Sequence, residues 1–172
     1  MLLAIFIVTL AGVNAYVNEY DQPFTFKCPA SRVLSSIASV NHNYYEDRIW
    51  DFGCTIHPLE ASITDCEWTS TYANEFKEAM VFQCTGEGFI TGVESYHDNR
   101  YEDRRFKFQC CQSPRTVVHS CYFTTWTNNF DGNQNFSLPK GKLLRGVVSI
   151  YDTYYKDRRY QFEICDVNNQ PY

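Results

Sequence analysis

The fold is decided by a stretch that reads SYHDNRYEDRRFKFQCC from Ser95 to Cys111. Similar stretches read SVNHNYYEDRIWDFGC from Ser39 to Cys54 and SIYDTYYKDRRYQFEIC from Ser149 to Cys165. Their Asp-Arg pairs (Asp47-Arg48, Asp103-Arg104 and Asp157-Arg158) follow one another at nearly equal intervals. Several coincident offsets of this kind indicate an internal repeat, which governs the architecture of the whole chain.

The residues that follow each Asp-Arg pair alternate between two faces. In the second copy, Phe106 and Phe108 share one face with Arg104, whereas Arg105 and Lys107 share the other. This alternation indicates a half-buried strand with its aromatic face inward. Further strands are expected at residues 24–28, 33–40, 79–84, 89–93 and 143–150. No stretch longer than a turn or two has helical periodicity.

About four short strands in each of three repeats of ~55 residues predict a single disulfide-rich all-β domain with pseudo-threefold symmetry. The repeats are expected at about residues 24–65, 66–120 and 121–166. A β-prism is the first choice and a β-trefoil the second, and the sequence does not separate them.

The N-terminus predicts export. Residues 2–13 form an apolar run, too short for a membrane-spanning helix of about 20 residues. Val13 and Ala15 fit the −3 and −1 positions of a signal-peptidase site, so residues 1–15 are predicted to be a signal peptide, with cleavage there or a few residues later. A buried N-terminal strand is the alternative, and the absence of Lys or Arg before the run favours it slightly. The domain would then be residues 16–172, secreted and extracellular.

The charge and the cysteines narrow the class of protein. A formal net charge of −5 disfavours nucleic acid as a partner, because attraction to phosphate requires a basic face. Eight cysteines in an exported chain indicate four disulfides. No CxxC or HxxxH spacing suits zinc, so neither a metal nor another cofactor is expected.

The repeats restrict how the cysteines pair. Cys28–Cys54 would enclose the strands of the first repeat, and Cys121–Cys165 those of the third. In the middle, Cys84 joins Cys110 or Cys111, and Cys66 joins the other member of that doublet. Because neighbouring strand residues point to opposite faces, counting from Arg104 favours Cys84–Cys110 and Cys66–Cys111, although a one-residue bulge would exchange them.

The triple Asp-Arg repeat, the Cys110-Cys111 doublet and the unit Cys66-Glu67-Trp68 resemble the dermatopontin family over nearly the whole mature chain. In length and termini the chain is most similar to the cell-agglutinating invertebrate branch. The resemblance implies a secreted protein of matrix or haemolymph. Two features of the vertebrate pattern are missing, an extra C-terminal cysteine pair and a long Tyr-rich acidic N-terminal segment, so matrix-growth-factor roles carry over poorly.

The resemblance also implies a disulfide pairing, Cys28–Cys54, Cys66–Cys110, Cys84–Cys111 and Cys121–Cys165. It disagrees with the face counting for the two middle bridges. The pairing implied by the resemblance is the expectation taken forward.

Two sets of residues are candidate sites. The Asp-Arg pairs either grip an acidic sugar or hold the fold together through buried carboxylates, and the inward direction of the arginines favours the second interpretation. The candidate ligand surface is a set of tyrosines in expected loops, Tyr44, Tyr45, Tyr96, Tyr101, Tyr154 and Tyr155. Ordinary packing of these rings within the turns is the alternative. Asn135 begins an N-glycosylation sequon, Asn-Phe-Ser.

The expected function is binding. No GxSxG, HExxH or free cysteine supports catalysis, so the chain is not expected to be an enzyme. We expect a secreted adhesion or agglutination protein that crosslinks cells by multivalent binding to cell-surface glycans or glycoproteins, with self-association as one route to several sites. The alternative is a structural extracellular-matrix protein that binds proteoglycan or other matrix proteins.

Overall fold

The computed structural model describes residues 16–169, which form eleven β-strands and no helix. The strands are β1 (Phe24–Lys27), β2 (Arg32–His42), β3 (Asp47–Ile56), β4 (Thr64–Trp68), β5 (Met80–Gln83), β6 (Phe89–Asp98), β7 (Asp103–Gln112), β8 (Thr116–Phe123), β9 (Gln134–Ser137), β10 (Lys142–Asp152) and β11 (Asp157–Asn169). The all-β class is therefore confirmed. The predicted signal peptide lies outside the described residues. Nothing within residues 16–169 forms a helix that could cross a membrane.

Three long antiparallel hairpins correspond to the three copies of the repeated stretch. They are β2–β3, β6–β7 and β10–β11. Each closes through a four-residue turn whose last residue has a positive φ, 48° at Glu46, 52° at Glu102 and 48° at Lys156. A left-handed residue at that point lets a short loop match the twist of the flanking strands. The Asp of each Asp-Arg pair is the first residue after the turn.

Each hairpin pairs with a short strand that belongs to another repeat. β1 pairs with β6 of the second hairpin, β5 with β10 of the third, and β9 with β2 of the first. The resulting sheets have the strand orders β1-β6-β7-β4, β5-β10-β11-β8 and β3-β2-β9. Every hairpin therefore pairs with a short strand from the repeat before it. The third repeat supplies the strand for the first hairpin, so the pairing closes into a cycle. This arrangement fits three repeats around a common core.

The core is built from equivalent residues of the three repeats. At its centre, Trp50, Phe106 and Tyr160 contact one another edge to face, with ring centroids 5.8, 5.4 and 6.1 Å apart. Edge-to-face contact places the positive edge of one ring on the negative face of the next. A second, smaller cluster contains Val33, Phe89, Leu143 and Cys111.

The structure corrects two of the expected disulfides. It joins Cys66 to Cys111 and Cys84 to Cys110, as the face counting favoured, and not Cys66 to Cys110 or Cys84 to Cys111 as the resemblance implied. The reason is the strand alternation itself: Cys110 packs beside the main core, whereas Cys111 belongs to the smaller cluster.

The other two bridges, Cys28–Cys54 and Cys121–Cys165, form as expected, and no described cysteine is free. The four bridges form two classes, and the two bridges within each class have matching geometry. Cys28–Cys54 and Cys84–Cys110 both have a Cα–Cα distance of 5.8 Å and a sequence separation of 26 residues. The other two have Cα–Cα distances of 4.0 and 4.1 Å and separations of 45 and 44 residues.

Candidate ligand-binding surface

The Asp-Arg pairs meet in a closed cycle of ion pairs between repeats. The cycle joins Arg104 to Asp47, Arg158 to Asp103 and Arg48 to Asp157. In the first of these pairs, Nε and Nη2 of Arg104 donate to the two carboxylate oxygens of Asp47 at 2.6 and 2.7 Å. Such a bidentate pair fixes geometry as well as charge. Each repeat therefore holds the aspartate of one neighbour and the arginine of the other.

The cycle is almost completely withdrawn from solvent, since no side chain in it is more than 4 % exposed. The guanidinium groups also donate to turn carbonyls, Arg48 to Gly132, Arg104 to Gln22 and Arg158 to Glu78. The space beside the cycle amounts to about 20 Å³. This volume suits one water molecule and excludes a sugar ring. The geometry therefore supports the structural interpretation of the Asp-Arg pairs.

Three asparagines that the sequence analysis did not single out each donate to the backbone carbonyl of one of these arginines. They are Asn18, Asn74 and Asn128. The Asn74 amide donates to the carbonyl of Arg104 at 2.9 Å and accepts the Phe106 N–H at 3.0 Å, so it acts as a bridge in the strand ladder. The signal that could have found them is their spacing along the chain, which is the same as that of the Asp-Arg pairs.

Each hairpin turn carries an aromatic pair on its outer side. The stacked pairs are Tyr20–Tyr45, Phe76–Tyr101 and Phe130–Tyr155, with ring centroids 4.8, 4.5 and 5.1 Å apart and planes within 7° of parallel. The first member of each pair precedes the residue whose N–H binds the aspartate of the same repeat, as the Asp21 N–H binds Asp47 at 2.8 Å. The buried cycle thus holds both the turn and its aromatic partner in place.

The tips of the turns are the most exposed part of this surface. Tyr44 is 82 % exposed and Tyr154 is 86 % exposed, and each meets its neighbouring tyrosine edge to face. Arg100 occupies the equivalent tip of the second repeat, with its guanidinium carbon 5.6 Å from the Tyr101 ring. Exposed rings held by a rigid support provide apolar contact area at little cost in conformational entropy.

Five of the six candidate tyrosines therefore lie in or at the turns, and Tyr96 does not. Tyr96 lies within β6, where its half-buried ring contacts Tyr72 and Phe76 edge to face. Its expected position in a loop was wrong, because β6 extends to Asp98 and not only to Val93. Burial raises the pKa of Tyr72 above its ordinary value of 10.0, so this hydroxyl remains protonated at physiological pH.

Two clusters of described residues have the composition of a metal site, and in one of them, Cys121, Glu163 and Cys165, the two thiols are joined in a disulfide. The other cluster is carboxylate and imidazole. Ligand atoms of Asp21, Asp47 and His97 lie within 4.8 Å of one another. However, both oxygens of Asp47 accept hydrogen bonds from Arg104, whose positive charge opposes a cation. We therefore assign no metal to this cluster.

The sequon asparagine is accessible to modification. Asn135 is exposed on β9, an edge strand of the three-stranded sheet. A glycan attached there would not displace any strand of the sheet.

Comparison with known proteins gives a consistent result. The model of the family described as Dermatopontin matches residues 18–169. The chain is 38 % identical to a dermatopontin of Biomphalaria glabrata over 151 residues, covering 88 % of this chain and 99 % of that protein. It is 36 % identical to the hemagglutinin/amebocyte aggregation factor of Limulus polyphemus, covering 94 % and 92 %. It is 40 % identical to Millepora cytotoxin-1 of Millepora dichotoma, covering 91 % and 68 %.

No solved structure matches the chain significantly. The family match covers all three hairpins, the Asp-Arg cycle, the asparagines and the cysteines that form the four bridges. The protein is a member of the dermatopontin family.

Proposed function

We propose that this protein is secreted and crosslinks cells by binding their surface glycans at several sites, without catalysis. Its similarity to a hemagglutinin/amebocyte aggregation factor supports agglutination as the activity. The four disulfides suit an extracellular environment.

The observation that carries the proposal is the threefold recurrence of the stacked aromatic pair at the hairpin turns. The apolar face of a sugar ring packs on an aromatic face, and several weak contacts together give firm attachment through avidity. Three copies on one molecule would provide those contacts.

The arrangement of the turns also bears on how cells are bridged. Glu46, Glu102 and Lys156, one from each turn, line the same small cavity, so the three turns surround one end of the molecule. One molecule therefore presents its tips to the same cell surface. Bridging two cells then requires self-association of at least two molecules, which agrees with the expected route to multivalency.

A double substitution of the exposed tips tests the proposal. Replacing Tyr44 and Tyr154 with Ala should lower the haemagglutination titre by about tenfold or more, because avidity depends on several simultaneous contacts. The circular dichroism spectrum should not change, since both rings are more than four-fifths exposed. The matched control is Tyr122→Ala, which removes a tyrosine that is 48 % exposed on β8, away from the turns.

A glycan array with the purified protein separates the two candidate functions. Binding to defined oligosaccharides that disappears in the Tyr44/Tyr154 variant supports glycan-mediated agglutination. Binding only to sulfated polymers, in proportion to their charge, supports the matrix alternative. An unchanged titre in the double variant would contradict the assignment of the tips.

A further inference from the structure

The outer face of the second hairpin holds its own arginine in an aromatic cage. The guanidinium carbon of Arg105 lies 4.6 Å from the ring centroid of Tyr72 and 5.6 Å from that of Phe76. Its Nε donates to the carbonyl of Asn74 at 2.9 Å, and its Nη2 donates to the Glu75 carboxylate at 2.6 Å. Two aromatic faces and one carboxylate therefore satisfy a single guanidinium, whose charge is attracted to the negative face of a ring.

The third hairpin repeats the two rings of this arrangement but not its carboxylate, since Asn129 stands at the position of Glu75. The guanidinium carbon of Arg159 lies 4.5 Å from the ring of Trp126 and 4.9 Å from that of Phe130. Arg159 and Trp126 follow Arg105 and Tyr72 by the same interval that separates the second Asp-Arg pair from the third. Two of the three repeats thus fill the same cage with an intramolecular arginine.

The first repeat has the cage but lacks the arginine. Tyr16, Glu19 and Tyr20 precede the cage residues of the second repeat by the interval that separates the first two Asp-Arg pairs. The position that corresponds to Arg105 is Ile49, which has neither a charge nor a donor. The structure has an open pocket of about 480 Å³ at this place. Its lining consists of Tyr16, Asn18, Glu19, Tyr20, Tyr45 and Ile49.

We propose that this pocket binds the guanidinium group of an arginine side chain presented by a protein partner. The same chain shows twice, in its other repeats, that this arrangement of rings holds a guanidinium. Glu19 supplies the carboxylate that Glu75 supplies in the second repeat, and the net charge of −5 favours a cationic partner. The pocket includes Tyr20 and Tyr45, one of the three stacked pairs proposed for glycan contact, and it adds a cationic ligand at that pair without using the exposed tips Tyr44 and Tyr154.

The direct test is an NMR titration of the protein with N-acetyl-arginine amide. Saturable shifts of the Tyr16, Tyr20 and Tyr45 ring signals are expected, with a dissociation constant on the order of millimolar for one isolated side chain. The neutral isostere N-acetyl-citrulline amide has the same shape without the charge, and it should bind about tenfold more weakly or not at all.

Two reciprocal substitutions test the comparison between repeats. Ile49→Arg supplies the missing guanidinium from within the chain and should abolish binding, whereas Ile49→Leu should retain it. Arg105→Ile opens the cage of the second repeat and should create a second binding site, raising the stoichiometry from one to two. Thermal unfolding of each variant establishes that it is folded.

Three results would overturn the proposal. They are equal binding of the arginine and citrulline compounds, undiminished binding by folded Ile49→Arg, and a stoichiometry that remains at one in folded Arg105→Ile. A haemagglutination titre that falls in the Tyr44/Tyr154 variant while arginine binding persists would show that the two sites are separate.

Discussion

Replacing Arg104 with Ala tests whether the buried ion-pair cycle holds the three repeats together. The substitution removes two hydrogen bonds to Asp47 and one to the carbonyl of Gln22. The Asp47 carboxylate, 1 % exposed, would keep only the N–H of Asp21 as a hydrogen-bond donor. An unpaired buried charge of this kind costs about 3–5 kcal/mol.

That cost is a large part of the roughly 5–15 kcal/mol by which domains are usually stable. The double variant Asp47→Asn/Arg104→Met removes both charges and should be destabilised by clearly less than the sum of its single substitutions, since groups in contact are not additive. The neighbouring Arg105→Ala is the matched control. Its ion-pair partner Glu75 is 72 % exposed, so we expect a loss of about 1 kcal/mol from the pair and the cation–π contacts together.

The measurement is guanidinium-induced unfolding followed by circular dichroism at pH 7 with the disulfides intact. The free energy of unfolding should fall in the order wild type, Arg105→Ala, Arg104→Ala. A loss below about 1 kcal/mol in Arg104→Ala would refute the structural role of the cycle. Selective loss of agglutination in a stable Arg104→Ala protein would instead return the Asp-Arg pairs to the binding site.

Two further predictions concern the bridges and the pH dependence. Peptide mapping of the unreduced protein, with cleavage between Cys110 and Cys111, should find Cys66–Cys111 and Cys84–Cys110 and no free thiol; the exchanged pairing would show that strand alternation does not decide the bridges. His57 is buried, and desolvation lowers the pKa of its imidazole below the ordinary 6.5. The unfolded chain therefore binds the proton more readily, so the stability contributed by neutral His57 is complete above pH 6.5 and is lost as the pH falls below that value. NMR titration should show His57 neutral at pH 6.5, and protonation at or above that pH would contradict this.

The fold was predictable to the extent that single strands carry their own pattern. Alternation identified the strands after each Asp-Arg pair, because one face of each must be buried. The expected strands at residues 33–40 and 143–150 fall within β2 and β10. Strands β4, β8 and β9 were not predicted; β9, for example, has Phe136 as its single apolar side chain, so it shows no apolar alternation. Its partner β2 belongs to the first repeat and β9 to the third, and no local pattern encodes so distant a pairing.

The site was less predictable because its geometry arises between repeats. Strand alternation predicted that each arginine points inward. The aspartate that each arginine binds, however, belongs to another repeat. The expected first repeat began at residue 24 and so left out Asn18 and Tyr20, whose contacts match those of Asn74 and Phe76. These residues lie just after the predicted signal peptide. A single asparagine or tyrosine there is recognised as part of the repeat only when positions are counted back from the second repeat by the repeat interval.

The exchange of short strands between hairpins has a consequence for how such a chain could arise and change length. A solenoid gains or loses repeats at its ends, because each unit contacts only its neighbours. Here the last repeat gives β9 to the first hairpin, so the sequence is linear but the assembly is circular. Removing one repeat would leave a hairpin without its edge strand. A fourth repeat would have no unpaired hairpin edge to join. Three separate copies of a single-repeat ancestor could close the same circle as a domain-swapped trimer, and gene fusion would then fix the number at three.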